Sequence, residues 1–340
     1  MAKNLELYDN LASKIQDSIS TEHEVNFNYF MPVYKVSGNS VLYKEFIKNG
    51  SKLIIKNEYG QIEIRNRILT EYHLKIFNSI MYCGIVTKLK DGNIGVYFDE
   101  KEVLDDLGMK TNHTKFRETV KQIDDAKYYL KLGKITKSCG IISNYYTSHE
   151  TDSDKSLIIL DKDYVHNHEL DFGVNYKEIY KKIAGINYYT IPSIVRWFLI
   201  TQKNSNVQAY KLDNVLKEIG FPVNSVSSMK EIKSNLKKYA DALKEDYGIH
   251  YNHKTKEFKY SAAKNIQHLK FDMEKSLLQF KNKKILYDNE TREILDITGE
   301  GSNWKVKTDK GVLEYSVFCN DLMTIIENMI EKESERNLLE

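Results

Sequence analysis

Two short segments with the same pattern decide the fold of this chain: Val103-Leu104-Asp105-Asp106-Leu107-Gly108 and Val215-Leu216-Lys217-Glu218-Ile219-Gly220. Each begins with valine and leucine and ends with an apolar residue followed by glycine. This spacing predicts a short amphipathic helix that ends at the glycine, where a left-handed backbone permits a sharp turn. Because the pattern occurs twice, it indicates an internal repeat.

The first segment lies within an ordered series of predicted elements. A helix opens at Thr70 and ends at Gly84, and Asp99 is the predicted N-cap of the short helix. A longer helix should follow the turn, with an apolar stripe on one face. The predicted ranges are a strand at Gly95–Phe98, helices at Glu100–Leu107 and Thr114–Leu132 (stripe Phe116, Val120, Ile123, Leu130), and strands near Ile135–Tyr146 and Ser156–Asp161, separated by a polar linker, His149 to Lys155.

The second segment lies within the same series. Pro192 sits at a helix start, where its missing N–H costs nothing, and Asp213 is the predicted N-cap of the short helix. The ranges are a strand at Ala209–Leu212, helices at Asn214–Ile219 and Ser228–Asp246 (stripe Ile232, Leu236, Ala240, Leu243), and strands at Ile249–Asn252 and Glu257–Tyr260. Helix, strand, short helix, turn, long helix and hairpin is the order of a winged helix, a helix-turn-helix with an appended β-hairpin.

Charge supports a DNA-binding interpretation locally. The whole chain carries a formal net charge of only +2, but eight basic and three acidic residues lie between Lys110 and Lys137. Basic residues on the solvent face of a second helix are typical of phosphate contacts, although a solvated lysine face is also common. The predicted DNA-binding residues are Asn112, His113, Lys115, Arg117 and Lys121 in the first repeat, and Ser227, Ser228, Lys230, Lys233, Ser234, Lys237, Lys254 and Lys256 in the second.

The second repeat carries a family resemblance. Ile194 to Leu199, with Trp197 inside it, resembles the first helix of TrfA-type plasmid replication initiators, which have two winged helices. Lys211 to Leu216 resembles the strand and helix that follow, and Lys230 to Lys238 resembles the recognition helix. Asp99–Gly108 and Thr114–Ile123 match in arrangement rather than identity. The resemblance covers about residues 50–255, and residues after about 265 depart from it.

The resemblance implies a function beyond what the residue pattern gives. It implies binding to repeated double-stranded DNA sites (iterons) at an origin, opening of an adjacent AT-rich segment, and contact with the host replication initiator and helicase. It also implies a homodimer in equilibrium with a monomer that is active on DNA.

The predicted fold class is therefore α+β, with tandem winged-helix domains and a small β-rich C-terminal module. An amphipathic helix is predicted at residues 5–19 and another at 266–280, followed by short strands and a closing helix at Leu322–Ile330. The predicted domains are an N-terminal arm (1–48), a first unit (49–175), a second unit (176–262) and the C-terminal module (263–340).

Composition and motifs narrow the alternatives. The chain has no apolar run long enough for a signal peptide or a membrane span, and its three cysteines form no CxxC pair, so a cytoplasmic protein without metal or cofactor is expected. It has no phosphate-binding GxxxxGK[ST] loop. A rolling-circle nickase would use His166-Asn167-His168 and the Tyr188-Tyr189 pair, but Asn167 departs from the hydrophobic residue expected there. A transcriptional regulator remains open, whereas a purely structural protein is disfavoured by the basic faces.

Overall fold

The structure is a computed structural model that describes residues 5–18, 20–57, 60–109, 112–132, 135–147, 155–201, 209–221, 226–261 and 266–339. It is a mixed α+β protein with several small sheets. The buried apolar side chains form two cores. One is built from residues between 11 and 165 together with residues 271–326, and the other from residues between 174 and 266. Lys110, Lys134 and residues 149–154 of the predicted linker lie outside the described residues.

The N-terminal arm and the first unit contain helices that pack on two four-stranded sheets. The sheets have the orders β2-β3-β6-β7 and β4-β5-β9-β8. The elements are β1 (Leu5–Tyr8), α1 (Leu11–Asp17), α2 (Glu22–Asn26), α3 (Val41–Lys48), β2 (Lys52–Asn57), β3 (Gly60–Arg65), α4 (Glu71–Cys83), β4 (Ile85–Lys88), β5 (Ile94–Asp99), α5 (Glu100–Asp106), α6 (His113–Asp125), β6 (Lys127–Leu132), β7 (Ile135–Cys139), β8 (Ile142–Thr147), β9 (Lys155–Leu160) and α7 (Lys162–Leu170).

The second unit is a helical cluster on a three-stranded sheet with the order β11-β13-β12. Helix α9 is buried along almost its whole length, as expected for the first helix of this unit. The elements are β10 (Gly173–Val174), α8 (Tyr176–Ala184), α9 (Thr190–Thr201), β11 (Tyr210–Lys211), α10 (Leu212–Glu218), α11 (Val226–Lys238), α12 (Ala240–Tyr247), β12 (Ile249–Asn252) and β13 (Glu257–Tyr260).

The C-terminal residues form an antiparallel sheet with the order β15-β16-β17-β18, against which a long helix packs. The four strands predicted here are confirmed, and the closing helix is longer at both ends than predicted. The elements are β14 (His268–Phe271), α13 (Met273–Leu278), β15 (Lys284–Tyr287), β16 (Glu290–Glu300), β17 (Asn303–Thr308), β18 (Gly311–Ser316) and α14 (Cys319–Leu339).

A buried ion pair joins the two units. The Arg196 guanidinium on α9 donates to both carboxylate oxygens of Glu71 on α4, at 2.5 Å each. The Ser193 hydroxyl donates a third hydrogen bond to Glu71 at 2.8 Å. Both charged side chains are almost fully buried. Loss of either partner would leave the other charge unpaired in the interior, so this contact fixes α4 against α9.

The helices predicted at 5–19 and 266–280 are confirmed in part, as α1 and α13, and the first part of each prediction is wrong for the same reason. In each range a side chain inside the stripe caps a helix: Asn10 accepts a hydrogen bond from the Ser13 N–H, and Asp272 accepts one from the Lys275 N–H. The cap divides the stripe, because the residues before it are extended. Those residues become β1 and β14, which pair in parallel from Leu5 opposite His268 to Tyr8 opposite Phe271.

The predicted helix 114–132 is also wrong in its second half. Helix α6 ends at Asp125, and Ala126 already has an extended backbone. Tyr128 and Leu130 are fully buried and alternate with more exposed neighbours, which is the period of a strand. The strand forms because β6 pairs with β3 on one side and β7 on the other. Leu130 therefore belongs to a sheet and not to the helix stripe.

Two further corrections concern the second unit. The predicted helix 228–246 is interrupted at Tyr239, which divides it into α11 and α12. Ile232 and Leu236 on α11, and Leu243 on α12, are fully buried as predicted, whereas Ala240 is only half-buried. Asp213 is not an N-cap, because α10 begins at Leu212 and Asp213 lies in its first turn. In the first unit the N-cap Asp99 is confirmed, since its side chain accepts from the Lys101 N–H at 2.8 Å.

Candidate nucleic-acid interface

The two units share one pattern of strand pairing. In the first unit, β5 pairs antiparallel with β9, and β8 pairs antiparallel with β9. In the second unit, β11 pairs antiparallel with β13, and β12 pairs antiparallel with β13. In both, a strand leads into a short helix and a longer second helix, and a later hairpin returns its second strand to the first strand. In the first unit β6 and β7 come between the helices and that hairpin, and in the second unit α12 does. The repeat seen in the sequence is therefore also a repeat in topology.

The turn between the two helices depends on glycine in both units. Gly108 has φ +68° and Gly220 has φ +67°, in the left-handed region where a side chain is strained. The residues just before them, Leu107 and Ile219, end α5 and α10. The backbone therefore reverses sharply before α6 and α11, which sets the direction of these second helices.

Helix α11 presents basic side chains opposite its buried stripe. Lys230, Ser234 and Lys237 are exposed, and Lys233 is half-buried. These residues are three or four positions apart, so they share one helix face. Ser228 is half-buried, and the side chain of Ser227 lies outside the described residues. The structure therefore brings together the lysines that the sequence predicted on this helix.

The hairpin between β12 and β13 adds two more cations. Its tip is shaped by Asn252, whose side chain accepts hydrogen bonds from the N–H groups of Lys254 at 2.9 Å and Thr255 at 3.3 Å. Lys254 and Lys256 are both exposed. The Leu212 N–H donates to the carbonyl of Lys256 at 2.9 Å, which ties the tip to the start of α10. Across the described residues, the ammonium groups of the six lysines on α11 and this tip form no ion pair.

The side chains of helix α6 are less available for contact with DNA than the sequence suggests. Lys115 and Lys121 are exposed, but the side chain of Asn112 caps the helix by accepting from the Lys115 N–H. Two other predicted DNA contacts are turned towards a buried carboxylate. Arg117 Nε lies 2.9 Å from one oxygen of Glu100, and His113 Nδ1 lies 3.3 Å from the same oxygen.

Glu100 stands at the centre of these contacts and is itself fully buried. It also accepts hydrogen bonds from the hydroxyl groups of Tyr145 on β8, at 3.1 Å, and Ser156 on β9, at 2.7 Å. Burial and the nearby Glu100 carboxylate raise the pKa of Tyr145, so its hydroxyl remains a proton donor. We call Glu100, His113, Arg117, Tyr145 and Ser156 the Glu100 cluster. It fastens the first half of α6 to the β8–β9 hairpin.

The histidines considered for a nickase are buried in α7 rather than exposed. They are buried because α7 packs against α1, β7, β14 and α14. Burial lowers the pKa of His168 well below its usual value. Burial would lower the pKa of His166 as well, but Asp163 and Asp321 outweigh it and raise that pKa to about 8. Among the residues that the structure describes, no three His, Cys, Asp or Glu side chains converge as a metal site.

Sequence reasoning missed an aromatic groove beside α6. Tyr34, Tyr72 and Tyr189 line it together with Lys75 and Lys115. The spacing of Tyr72 and Lys75 placed both on one side of α4, away from Leu74, and could have flagged them. Tyr34 lies in an irregular segment with no periodicity, so no local signal placed it there.

Comparisons with known proteins give a distant structural likeness. No protein-family model matches the chain, and no curated protein matches it in sequence. Among solved structures, the chain is similar to the crystal structure of domains 2 and 3 of RctB, with a TM-score of 0.42 and 9% identity over 79% of this chain and 90% of that chain. This TM-score is too low to assign a shared fold. Within the described residues, each helix is too short or too polar to cross a lipid bilayer.

Proposed function

We propose that this protein is a replication initiator of the TrfA type that binds repeated double-stranded DNA sites at a plasmid origin through two winged-helix units. The observation that carries the proposal is the repeated strand pairing. In β5-β9-β8 and in β11-β13-β12, the first strand precedes a short helix and a longer second helix, and the other two strands form a hairpin that comes after them. A winged helix consists of these parts, with the second helix entering the major groove and the hairpin contacting the backbone.

The second unit supplies the stronger electrostatic support. Its second helix and its hairpin tip carry six lysines at exposed or half-buried positions, and phosphate contacts of this kind supply much of the affinity of DNA binding. Both units together could contact roughly six to ten phosphates, so binding should weaken steeply with salt. If the slope of log affinity against log salt concentration is shallower than about −2, this would count against binding by both units.

The proposal includes partners and a place of action. The host replication initiator and helicase would be recruited at the bound origin, in the cytoplasm, and a homodimer would exchange with a monomer that is active on DNA. Co-purification of the host proteins on origin DNA, with and without this protein, tests recruitment. Sedimentation of the protein alone and bound to one repeat tests the exchange.

We propose that the protein acts without catalysis or cofactor. A nickase would need its two histidines to reach a metal and a tyrosine near DNA, and burial of His166 and His168 disfavours that use. Incubation with supercoiled origin DNA and Mg²⁺ or Mn²⁺ tests this point. If the DNA were nicked and became covalently attached through Tyr188 or Tyr189, the protein would be a nickase and the proposal of a non-catalytic initiator would be wrong.

Protection mapping on the DNA that flanks the gene tests the main proposal. An initiator should protect several direct repeats with the same spacing, each read by both units. A single protected palindrome would instead identify a winged-helix transcriptional regulator, because the fold serves both functions. Absence of any protected site at low salt would reject DNA recognition by this chain.

A further inference from the structure

The groove between α4, α6 and the start of α9 has the composition of a base-stacking site. Its volume is about 610 Å³, and Tyr34, Tyr72 and Tyr189 form its aromatic wall. Lys75 and Lys115 stand at its sides. We call these five residues the tyrosine groove. Neither the helix faces nor the hairpins used in the proposed function account for it.

The three rings are arranged around Tyr34. The ring of Tyr189 stacks on it at a centroid distance of 5.1 Å, and the ring of Tyr72 meets it edge-on at 5.0 Å. Tyr34 still keeps 42% of its surface exposed, which is large for a ring held by two others. The Lys115 ammonium lies 5.4 Å from the centroid of Tyr72. A cation and open aromatic surface therefore stand side by side in one concave place.

The main chain holds this wall in place before any ligand arrives. The Thr70 hydroxyl at the start of α4 donates to the carbonyl of Tyr34 at 2.9 Å. The Thr190 hydroxyl at the start of α9 donates to the carbonyl of Pro32, also at 2.9 Å. These two hydrogen bonds hold the segment from Pro32 to Tyr34 against both units. A ligand that stacks on Tyr34 therefore loses little binding free energy to ordering of the site.

We propose that the tyrosine groove binds an unpaired base of a single DNA strand, stacked on Tyr34, while Lys75 and Lys115 contact the flanking phosphates. Bases within a duplex have both faces covered by their neighbours, so only an unpaired base can offer a face to Tyr34. Aromatic rings interleaved with cations are how proteins hold single strands without reading their sequence. This inference rests on the proposed function, since Asn112 and Lys115 at the start of α6 also line the groove.

Binding of the full chain to a fluorescein-labelled oligothymidylate strand, followed by anisotropy at low salt, tests the proposal. Tyr34→Ala should bind the strand about tenfold more weakly, because stacking on an aromatic ring contributes most of the affinity per base. Tyr34→Phe keeps the ring and should bind like the wild type. Tyr97→Ala is the matched control, because it removes an equally exposed tyrosine from β5 of the same unit.

Cross-linking gives a second measurement. It uses only the wild-type protein, so it does not depend on whether a variant folds. An oligothymidylate carrying one 5-iodouracil should form its photo-adduct with Tyr34, Tyr72 or Tyr189, identified by mass spectrometry. Adducts confined to other residues would overturn the proposal. So would unchanged strand binding by both Tyr34→Ala and Tyr189→Ala, or no strand binding by the wild type. Equal competition by free thymidine monophosphate would show a mononucleotide site instead of a strand site.

Duplex binding measured in parallel separates this proposal from the proposed function. Lys233→Ala combined with Lys237→Ala should lose affinity for the duplex and keep affinity for the strand. Tyr34→Ala should show the reverse. If the wild type binds the strand through the groove but protects no duplex, the proposed function fails while the groove assignment stands.

Discussion

The two units differ in chemistry at the first turn of their short helices. With the two glycine-ended segments aligned, Glu100 in the first unit corresponds to Leu212 in the second, and both are buried. Leu212 joins an apolar core, whereas Glu100 collects four hydrogen-bonding side chains. The same topology is therefore held by apolar packing in one unit and by a buried carboxylate in the other.

The second helices differ accordingly. Arg117 directly follows the buried Phe116 on α6, just as Lys233 follows the buried Ile232 on α11. Arg117 is bound to Glu100, whereas Lys233 has no carboxylate partner among the described residues. A cation that neutralises a buried acid is not free for phosphate without cost. We infer that the second unit supplies more of the duplex affinity and that the first unit is the more rigid one.

Glu100→Ala should have the largest effect and would break this comparison directly. It leaves Arg117 and two hydroxyl groups without their acceptor, so the free energy of unfolding should fall by about 3–5 kcal/mol. Urea denaturation followed by circular dichroism measures this. Leu212→Ala is the matched control, with an expected loss of about 2–5 kcal/mol by cavity formation alone. If Glu100→Ala is as stable as the wild type, the Glu100 cluster does not hold the first unit.

Leu236→Ala tests the core beneath the proposed recognition helix. Leu236 is fully buried on α11, so its truncation should lower the free energy of unfolding by about 2–5 kcal/mol. DNA binding should be lost only in proportion to the unfolded fraction. Affinity lost by a fully folded variant would show that Leu236 shapes the DNA-binding surface directly.

How far the sequence predicts this molecule depends on how local each signal is. Helices α5 and α10, the hairpin β12–β13 and the strands β15–β18 were predicted, because their periodicity, caps and turn residues lie within a few positions of each other. Strand β6 was missed because one of the two strands that pair with it, β3, lies more than 60 residues earlier and leaves no local signal around Tyr128 and Leu130. The predicted N-cap Asp99 is confirmed, whereas Asp213 lies within the first turn of its helix. Errors of one or two residues are usual for helix ends.

The candidate site shows the same limit. The lysines of α11 lie on one face, as the spacing predicted, because a helix face follows from the sequence alone. For Arg117 and His113, charge and position could be predicted from the sequence, but the contacts with Glu100, and its contacts with Tyr145 and Ser156, could not. Contact of any of these residues with DNA remains a prediction.

Lys233→Ala combined with Lys237→Ala sharpens the comparison on the binding side. Loss of two charge-assisted contacts should weaken duplex binding by about 2–4 kcal/mol, or roughly 30- to 900-fold. Stability should change little, because Lys237 is exposed and neither lysine forms an ion pair among the described residues. Anisotropy with a duplex repeat measures affinity, and urea denaturation measures stability.

The positionally matched variant in the first unit is Arg117→Ala combined with Lys121→Ala. It should weaken duplex binding less and lower stability more, because Arg117 neutralises Glu100. A well-folded Lys233→Ala, Lys237→Ala protein that binds its repeat as tightly as the wild type would show that the α11 face is only a solvated surface. The second unit would then no longer be supported as a DNA reader.

The two turn glycines provide the finest test, in which the expected difference between units is about 1 kcal/mol. Alanine at either position must adopt a positive φ, which costs roughly 1–2 kcal/mol. At Gly108 a Cβ would meet nothing within 4 Å, so Gly108→Ala should show that cost alone. At Gly220 a Cβ would lie 3.1 Å from Cγ of Asn28, a buried residue that itself has φ +50°.

Gly220→Ala should therefore lose more stability than Gly108→Ala, because Asn28 must shift as well as the backbone strain. The free energies of unfolding of the two variants, measured by urea denaturation under one condition, give the difference directly. Gly220→Ser would add a hydroxyl at the same place and should be no more stable than Gly220→Ala. Equal losses at Gly108 and Gly220 would mean that Asn28 yields freely, and the turn of the second unit would then be as loosely packed as that of the first.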